Sequence, residues 1–280
     1  MGRCRKHITS LIVWCVATLF CFATTLQAQE TRTLDPVYDG AGLDQKNGEY
    51  IPLDLVFNDE QGSPIALNEV VNGEKPVLLA MVYHSCPMMC NVVLDALTAA
   101  MAEMEWTAGE EFDVLTISIA PEDTPASASE KKAQYLEKLG KSNVSGWHFL
   151  TGNESEIQQL ADAIGFKYDY VEEIQQYVHP PILTFLTPEG QISRYMQGVS
   201  FSARDLRLSL VEASGGKIGT PTDFFILFCL QYDKEASAYV AHATNLMKLG
   251  GALTVLVLGV ALYGLWRKEG QNGDLNRLPT

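Results

Sequence analysis

Pro76-Val77-Leu78-Leu79-Ala80-Met81-Val82-Tyr83 runs straight into His84-Ser85-Cys86-Pro87-Met88-Met89-Cys90. The first eight residues carry no charge and do not alternate with polar ones, the pattern of a strand buried on both faces. Beyond the second cysteine the period changes. Val93, Leu97, Ala100 and Met104 fall on one stripe of a helix predicted over Val92 to Met104. A buried strand therefore ends in a two-cysteine loop, and that loop opens a helix.

Working outward, Ile51 to Phe57 is predicted as a strand, followed by a turn at Asp59-Glu60-Gln61-Gly62 and a further extended piece over Ser63 to Leu67. Phe112 to Ile119 reads as a second buried strand. Thr124-Pro125, a cap residue before a proline, opens a helix to about Leu139. Trp147 to Leu150 is a short strand. Asn153, three residues before Glu156, has the form of a capping box for a helix to about Ile164. Ile182 to Leu186 and Ile192 to Gln197 flank the turn Thr187-Pro188-Glu189-Gly190, and Ala203 to Ala213 is a last helix. Strands alternating with helices, closed by a hairpin, predict an α/β fold with a central mixed sheet flanked by helices. With the two-cysteine loop between strand and helix, the arrangement is thioredoxin-like.

The two ends differ from this middle. Arg3, Arg5 and Lys6 precede an uncharged stretch from Leu11 to Thr25, and Ala28 is a small residue at a cleavage position. Residues 1–28 are expected to be a signal peptide, although Leu26 fits the cleavage site poorly and an uncleaved anchor is the alternative. Leu249 to Trp266 has no charge over 18 residues and is followed by Arg267 and Lys268. That length suits a transmembrane helix, with Tyr263 and Trp266 as interfacial aromatics. The positive-inside rule puts 267–280 in the cytoplasm, and the globular part on the periplasmic or outer face of the inner membrane. The expected order is signal peptide 1–28, thioredoxin-like domain 29–215, arm or stalk 216–248, transmembrane helix 249–266 and tail 267–280. The chain has a net charge of −14. Between Glu30 and Asn245 it carries 32 acidic and 13 basic residues. Such a surface argues against nucleic acid as a partner, because phosphate binding needs clustered Lys and Arg.

Cys86 and Cys90 carry the chemistry. Positions i and i+4 share one helix face, so a helix starting near Pro87 converges the two sulfurs. A helix N-terminus favours thiolate, with cysteine pKa values of roughly 3.5–7.5 in such settings. Two thiolates select Cu(I), zinc or iron–sulfur over magnesium or calcium. The same spacing accommodates a disulfide, either structural or redox-active. Cys4, Cys15 and Cys21 belong to the leader, and Cys229 lies in the apolar run Phe224 to Leu230, where a buried cysteine acts as a small hydrophobe. A third metal ligand has four histidine candidates. His242 is close to the membrane segment, His148 sits inside a strand, and His84 is at a strand end. His179, in Tyr177-Val178-His179-Pro180-Pro181, precedes the Ile182 strand on a loop that two prolines stiffen. Met88 and Met89 offer thioethers but read more simply as helix-stripe core.

Val82 through Cys90 resembles the copper site of the SCO/SenC family of cytochrome oxidase assembly proteins. So do Gly146-Trp147-His148-Phe149-Leu150-Thr151-Gly152 and the stretch from His179 to Gly190. The likeness runs from about Tyr50 to about Leu210, in a bacterial branch with a C-terminal membrane helix. The resemblance implies a copper chaperone that binds copper, as Cu(I) or Cu(II), through Cys86, Cys90 and His179. It would deliver copper to the copper A centre of cytochrome c oxidase subunit II, reduce the cysteines of that centre, or both. Subunit II or its assembly factors, and the membrane, are then the partners. The chain departs from the family at Ala120-Pro121-Glu122-Asp123, where an acidic residue usually precedes the proline. Any role of that group must pass to Glu122 or Asp123, or be absent. The competing readings are a metal-free thiol–disulfide oxidoreductase, a thiol peroxidase, whose usual threonine is Tyr83 here, and a non-catalytic interaction module.

Overall fold

The computed structural model describes residues 41–85, 90–215, 219–220, 222–223, 227, 230–233, 238–241, 247–248, 250–260 and 263, with the backbone alone for 90–91, 230–233 and 238–241. The expected leader, Cys86 to Met89, Cys229, His242 and the tail 267–280 lie outside the described residues. In chain order the elements are β1 (Gly42–Leu43), β2 (Val56–Asn58), β3 (Pro64–Ala66), α1 (Leu67–Val70), β4 (Val77–Val82), α2 (Cys90–Glu103), β5 (Asp113–Ser118) and α3 (Pro125–Leu139). Then come β6 (Trp147–Leu150), α4 (Glu154–Ile164), β7 (Phe166–Lys167), β8 (Asp169–Val171), β9 (Gln176–Val178), β10 (Ile182–Leu186), β11 (Ile192–Gln197), α5 (Ala203–Ala213), β12 (Leu230–Asp233) and β13 (Ala238–Ala241).

The central sheet has the order β11-β10-β4-β5-β6. β4, β5 and β6 are parallel, while β10 is antiparallel to both β4 and β11. The sheet is therefore mixed, as expected for a thioredoxin-like α/β fold. β4 lies at its centre and explains the unbroken apolar run. Leu78, Ala80 and Val82 enter one core with Val93, Leu94 and Leu97 of α2, Tyr135 and Leu139 of α3, and Leu206 and Leu210 of α5. Val77, Leu79 and Met81 enter the opposite core with Ile157, Leu160 and Ile164 of α4 and with Phe57, Leu67 and Val71. Both faces are covered, so alternation has no polar phase to show.

The helix ends follow the sequence signals. Thr124 accepts from the Ser127 N–H, Pro125 takes the first turn, and Gly140 closes α3 at φ 66°. Asn153 accepts from the Ser155 and Glu156 N–H groups, the half of the capping box that faces α4. One strand is shorter than expected. The carbonyls of Leu53 and Leu55 accept from the Asn68 and Leu67 N–H groups, the otherwise orphaned donors at the start of α1. Only Val56 to Asn58 remains to pair with β3.

Two glycines of the stretch 146–152 are there for space. A Cβ on Gly152 would lie 2.7 Å from Phe57 Cδ1, and one on Gly146 would lie 2.3 Å from the Gly109 backbone nitrogen.

The arm begins as a docked segment. Arg207 donates from Nε to Asp223 Oδ1 at 3.2 Å and from Nη2 to Asp223 Oδ2 at 2.8 Å. The guanidinium stacks on the Trp106 ring at 4.5 Å. Thr220 donates to Asp223 from both its N–H and its hydroxyl, and Leu227 packs against the α2–α3–α5 core. β12 and β13 form an antiparallel hairpin. Residues 250–260 are helical, with Leu253, Val255, Leu256, Val257, Leu258 and Val260 all exposed. Among the described residues no helix is long and apolar enough to cross a membrane. Residues 249, 261–262 and 264–266 of the expected span lie outside the described set.

Candidate metal centre

β4 ends at Val82, and Tyr83-His84-Ser85 leads into Cys86. His84 and Ser85 are held by a single buried carboxylate, that of Asp123. It accepts the His84 backbone N–H at 2.8 Å, and the hydroxyls of Ser85 and Ser118 donate to it as well. Ser127 of α3 donates from 3.4 Å. The β4 end, the β5 end and the start of α3 are thus bound to one group. Of the two acidic residues the sequence offered after Pro121, Asp123 is the one turned inward. Glu122 is exposed and accepts from the Tyr177 hydroxyl at 3.2 Å.

His84 does not present itself as an accessible ligand. Its side chain is buried at 2% exposure beside Phe149, at a centroid distance of 5.8 Å. Neither ring nitrogen makes a full hydrogen bond, though the Thr116 backbone lies near. Burial pushes its pKa down to about 4, opposed by Asp123 and reinforced by Lys131. His148 is half-buried on β6, the edge strand, with β5 between it and β4. Burial lowers its pKa too, with Lys132 acting in the same direction.

His179 is placed by a hairpin and a set of aromatic rings. β8 and β9 pair antiparallel with Tyr170 opposite Tyr177, and His179 follows β9 directly. The Tyr177 ring meets Tyr83 edge-on at 5.4 Å, Tyr170 at 5.0 Å and Tyr168 at 6.0 Å. The His179 ring packs on Phe166 at 5.8 Å. Tyr83 is three residues before Cys86 and Tyr177 two before His179, so one ring contact joins the two arms of the expected site. Burial lowers the His179 pKa, partly offset by a hydrogen bond to the Pro180 carbonyl. That contact, 3.2 Å from Nδ1 to the oxygen, fixes the tautomer. A carbonyl can only accept, so Nδ1 carries the proton and Nε2 the lone pair. Metal-ligating histidines commonly have this support, with the second nitrogen donating to a carbonyl. The next carbonyl, of Pro181, accepts from the Gly198 N–H at 2.9 Å, so both residues of the proline pair hold their loop through their carbonyl oxygens.

No group of three or more metal-ligating His, Cys, Asp or Glu side chains comes together among the described residues. That set does not include the side chains of Cys86 or Cys90. α2 is described from Cys90 onward, and the helix start expected near Pro87 lies outside the described residues.

The tyrosine cluster and the β8–β9 hairpin are features the sequence reading missed. A signal for them exists in Phe166, Tyr168 and Tyr170, which alternate as ring-bearing residues on one strand face do. The intervening Lys167 and Asp169 and the short strands kept it below the length at which period two is decisive.

Residues 45–210 match the SCO1/SenC family model. No curated protein is significantly similar to the chain. Among solved structures, two proteins of Aquifex aeolicus VF5 are similar, one described as an electron transfer and the other as an electron transport protein. Both are 25% identical and cover 61% of this chain, with 96% and 99% of their own lengths and TM-scores of 0.55 and 0.51. Arabidopsis thaliana ScoI, solved with copper bound, is 19% identical over 57% of this chain and 94% of its own, with a TM-score of 0.47. The family match covers more than half of the chain and takes in the two-cysteine loop, the Asp123 hub and the His179 hairpin. The chain belongs to the SCO1/SenC family.

Proposed function

We propose that this protein is a membrane-tethered copper chaperone. In this reading it binds one copper ion through Cys86, Cys90 and His179 and serves the copper A centre of cytochrome c oxidase subunit II, as metal donor, thiol reductant or both. The observation that carries it is the Tyr83–Tyr177 contact, which brings the histidine hairpin to the strand end that leads into Cys86. The donor set fits copper as cargo. Two thiolates at a helix start match Cu(I), and a neutral imidazole with Nε2 unprotonated adds the nitrogen that Cu(II) favours. The lowered His179 pKa keeps that imidazole neutral near pH 7. Oxidation to a Cys86–Cys90 disulfide would remove both thiolates at once, so redox state would gate loading.

The proposed location follows from the ends of the chain. A cleaved leader would export the domain, and the 249–266 helix would hold it at the inner membrane with the tail in the cytoplasm. The all-round exposed apolar side chains of 250–260 support this, since a water-facing helix of that composition would be strongly disfavoured.

The test is anaerobic titration of the reduced, detergent-solubilised chain with Cu(I) and Cu(II), counting metal per chain. One tightly held copper is expected. Cys86→Ser or Cys90→Ser should abolish tight binding of either state, and His179→Ala should weaken binding, above all of Cu(II). A metal-free thiol oxidoreductase needs only the cysteines, so a His179→Ala chain that bound both states like the parent would overturn the three-ligand site.

A further inference from the structure

Tyr177 stands where three segments meet. Its backbone belongs to β9, which carries His179. Its ring packs edge-on against Tyr83, the first residue after β4 on the way to Cys86. Its hydroxyl donates to Glu122, next to the Asp123 carboxylate that holds His84 and Ser85. Tyr170, directly opposite on β8, and Tyr168 complete the packing around the same ring. β8 and β9 are only three residues each and form a separate two-stranded sheet, outside the five-stranded one. A two-stranded hairpin of that size is marginal alone, so its position depends on what its side chains pack against.

We infer that Tyr177 is the positioning residue of the site. Wedged on Tyr83 and tethered to Glu122, it sets how far His179 stands from the cysteine loop. The inference rests on the copper-binding reading above and names the residue that registers one ligand against the other two. The ring does the registering and the hydroxyl refines it. Ring contacts extend over three neighbours, whereas the Glu122 bond is a single exposed one whose strength water largely offsets.

The experiment compares parent, Tyr177→Ala and Tyr177→Phe chains in three measurements. Cu(II) affinity should fall roughly 10–100-fold for Tyr177→Ala, the range for removing a group that orients a metal-bound histidine. The electron paramagnetic resonance spectrum of its residual Cu(II) should lose the coupling of a bound imidazole nitrogen while thiolate-to-copper absorption remains. Tyr177→Phe should restore most of the affinity and the nitrogen coupling. The midpoint potential of the Cys86–Cys90 couple should not move in either variant, because the inference has Tyr177 place the histidine and not the thiols. A Tyr177→Ala chain with the parent's affinity and nitrogen coupling would overturn the inference while leaving the copper site intact. If the parent bound no copper, the proposed function would fall. Hydrogen exchange in the metal-free chain would then judge the latch alone. Faster exchange of the 176–178 amides in Tyr177→Ala but not in Tyr177→Phe would support it, and unchanged exchange would overturn it.

Discussion

Asp123 holds the strand end that leads into Cys86, and replacing it measures how much of the stability there comes from one carboxylate. Asp123→Ala removes the acceptor of four donors. Two of these are wholly inside the protein. The His84 N–H has no freedom to turn elsewhere, and leaving such a donor unpaired costs about 1–3 kcal/mol. Ser118 can rotate its hydroxyl but still loses a bond to a charged acceptor, about 1.5–3 kcal/mol before any recovery. Ser85 is exposed and Ser127 distant, so water replaces Asp123 for both at little cost. The total comes to about 3–5 kcal/mol. Asp123→Asn differs in kind. Its amide oxygen can keep the His84 and Ser118 donors, and its NH2 can face Ser85, whose hydroxyl also accepts. The loss should be only about 1–2 kcal/mol. Thermal unfolding followed by tryptophan fluorescence reads both, since Trp147 is fully buried with its Nε1–H on Thr116. At about 2–4 °C per kcal/mol for a domain of this size, Tm should fall by about 6–20 °C for alanine and 2–8 °C for asparagine. The His84 amide should also become the fastest-exchanging of the β4 end. An alanine variant within about 1 kcal/mol of the parent, or an asparagine variant as damaged as the alanine one, would refute the hub.

Three further outcomes are expected. Because the His84 pKa is about 4 when folded, the unfolded chain takes up that proton first on acidification. Stability should be full above pH about 6.5 and decline towards pH 4 by on the order of 3 kcal/mol, and His84→Leu should flatten that slope in urea titrations. Gly152→Ala drives a methyl into the Phe57 ring and should cost about 1–3 kcal/mol. Gly146→Ala, which meets backbone rather than a movable ring, should cost more in the same denaturation assay. Arg207→Ala should release the 220–227 segment and make limited proteolysis begin after residue 215 rather than in the domain. Burial raises the Asp223 carboxyl pKa, but its bonds to Arg207 and Thr220 outweigh this and hold it below the usual range. In the parent the same release should then appear only as pH falls below about 3.9, the carboxyl being charged in both states above that.

The chain by itself determined the elements whose signal is local. Pro76 to Tyr83 read as a strand covered on both faces, and Thr124-Pro125 and Asn153 marked helix starts. Each of these depends on backbone geometry and burial within a few residues, so a single sequence carries it. His179 was singled out in the same way, through its prolines and the family likeness, and its role is the one proposed above. Tertiary structure decided which groups act on it. Asp123 and Glu122 are neighbours in sequence with the same charge, yet one is turned inward to four donors and the other holds Tyr177 at the surface. That choice follows from where β4, β5 and α3 converge, which no local pattern encodes. Tyr83 and Tyr177 are likewise 94 residues apart, and their contact exists only because β10 returns antiparallel beside β4. The docking of the arm through Arg207 and Asp223 was invisible for the same reason, since an ion pair between two loosely patterned stretches leaves no period to read.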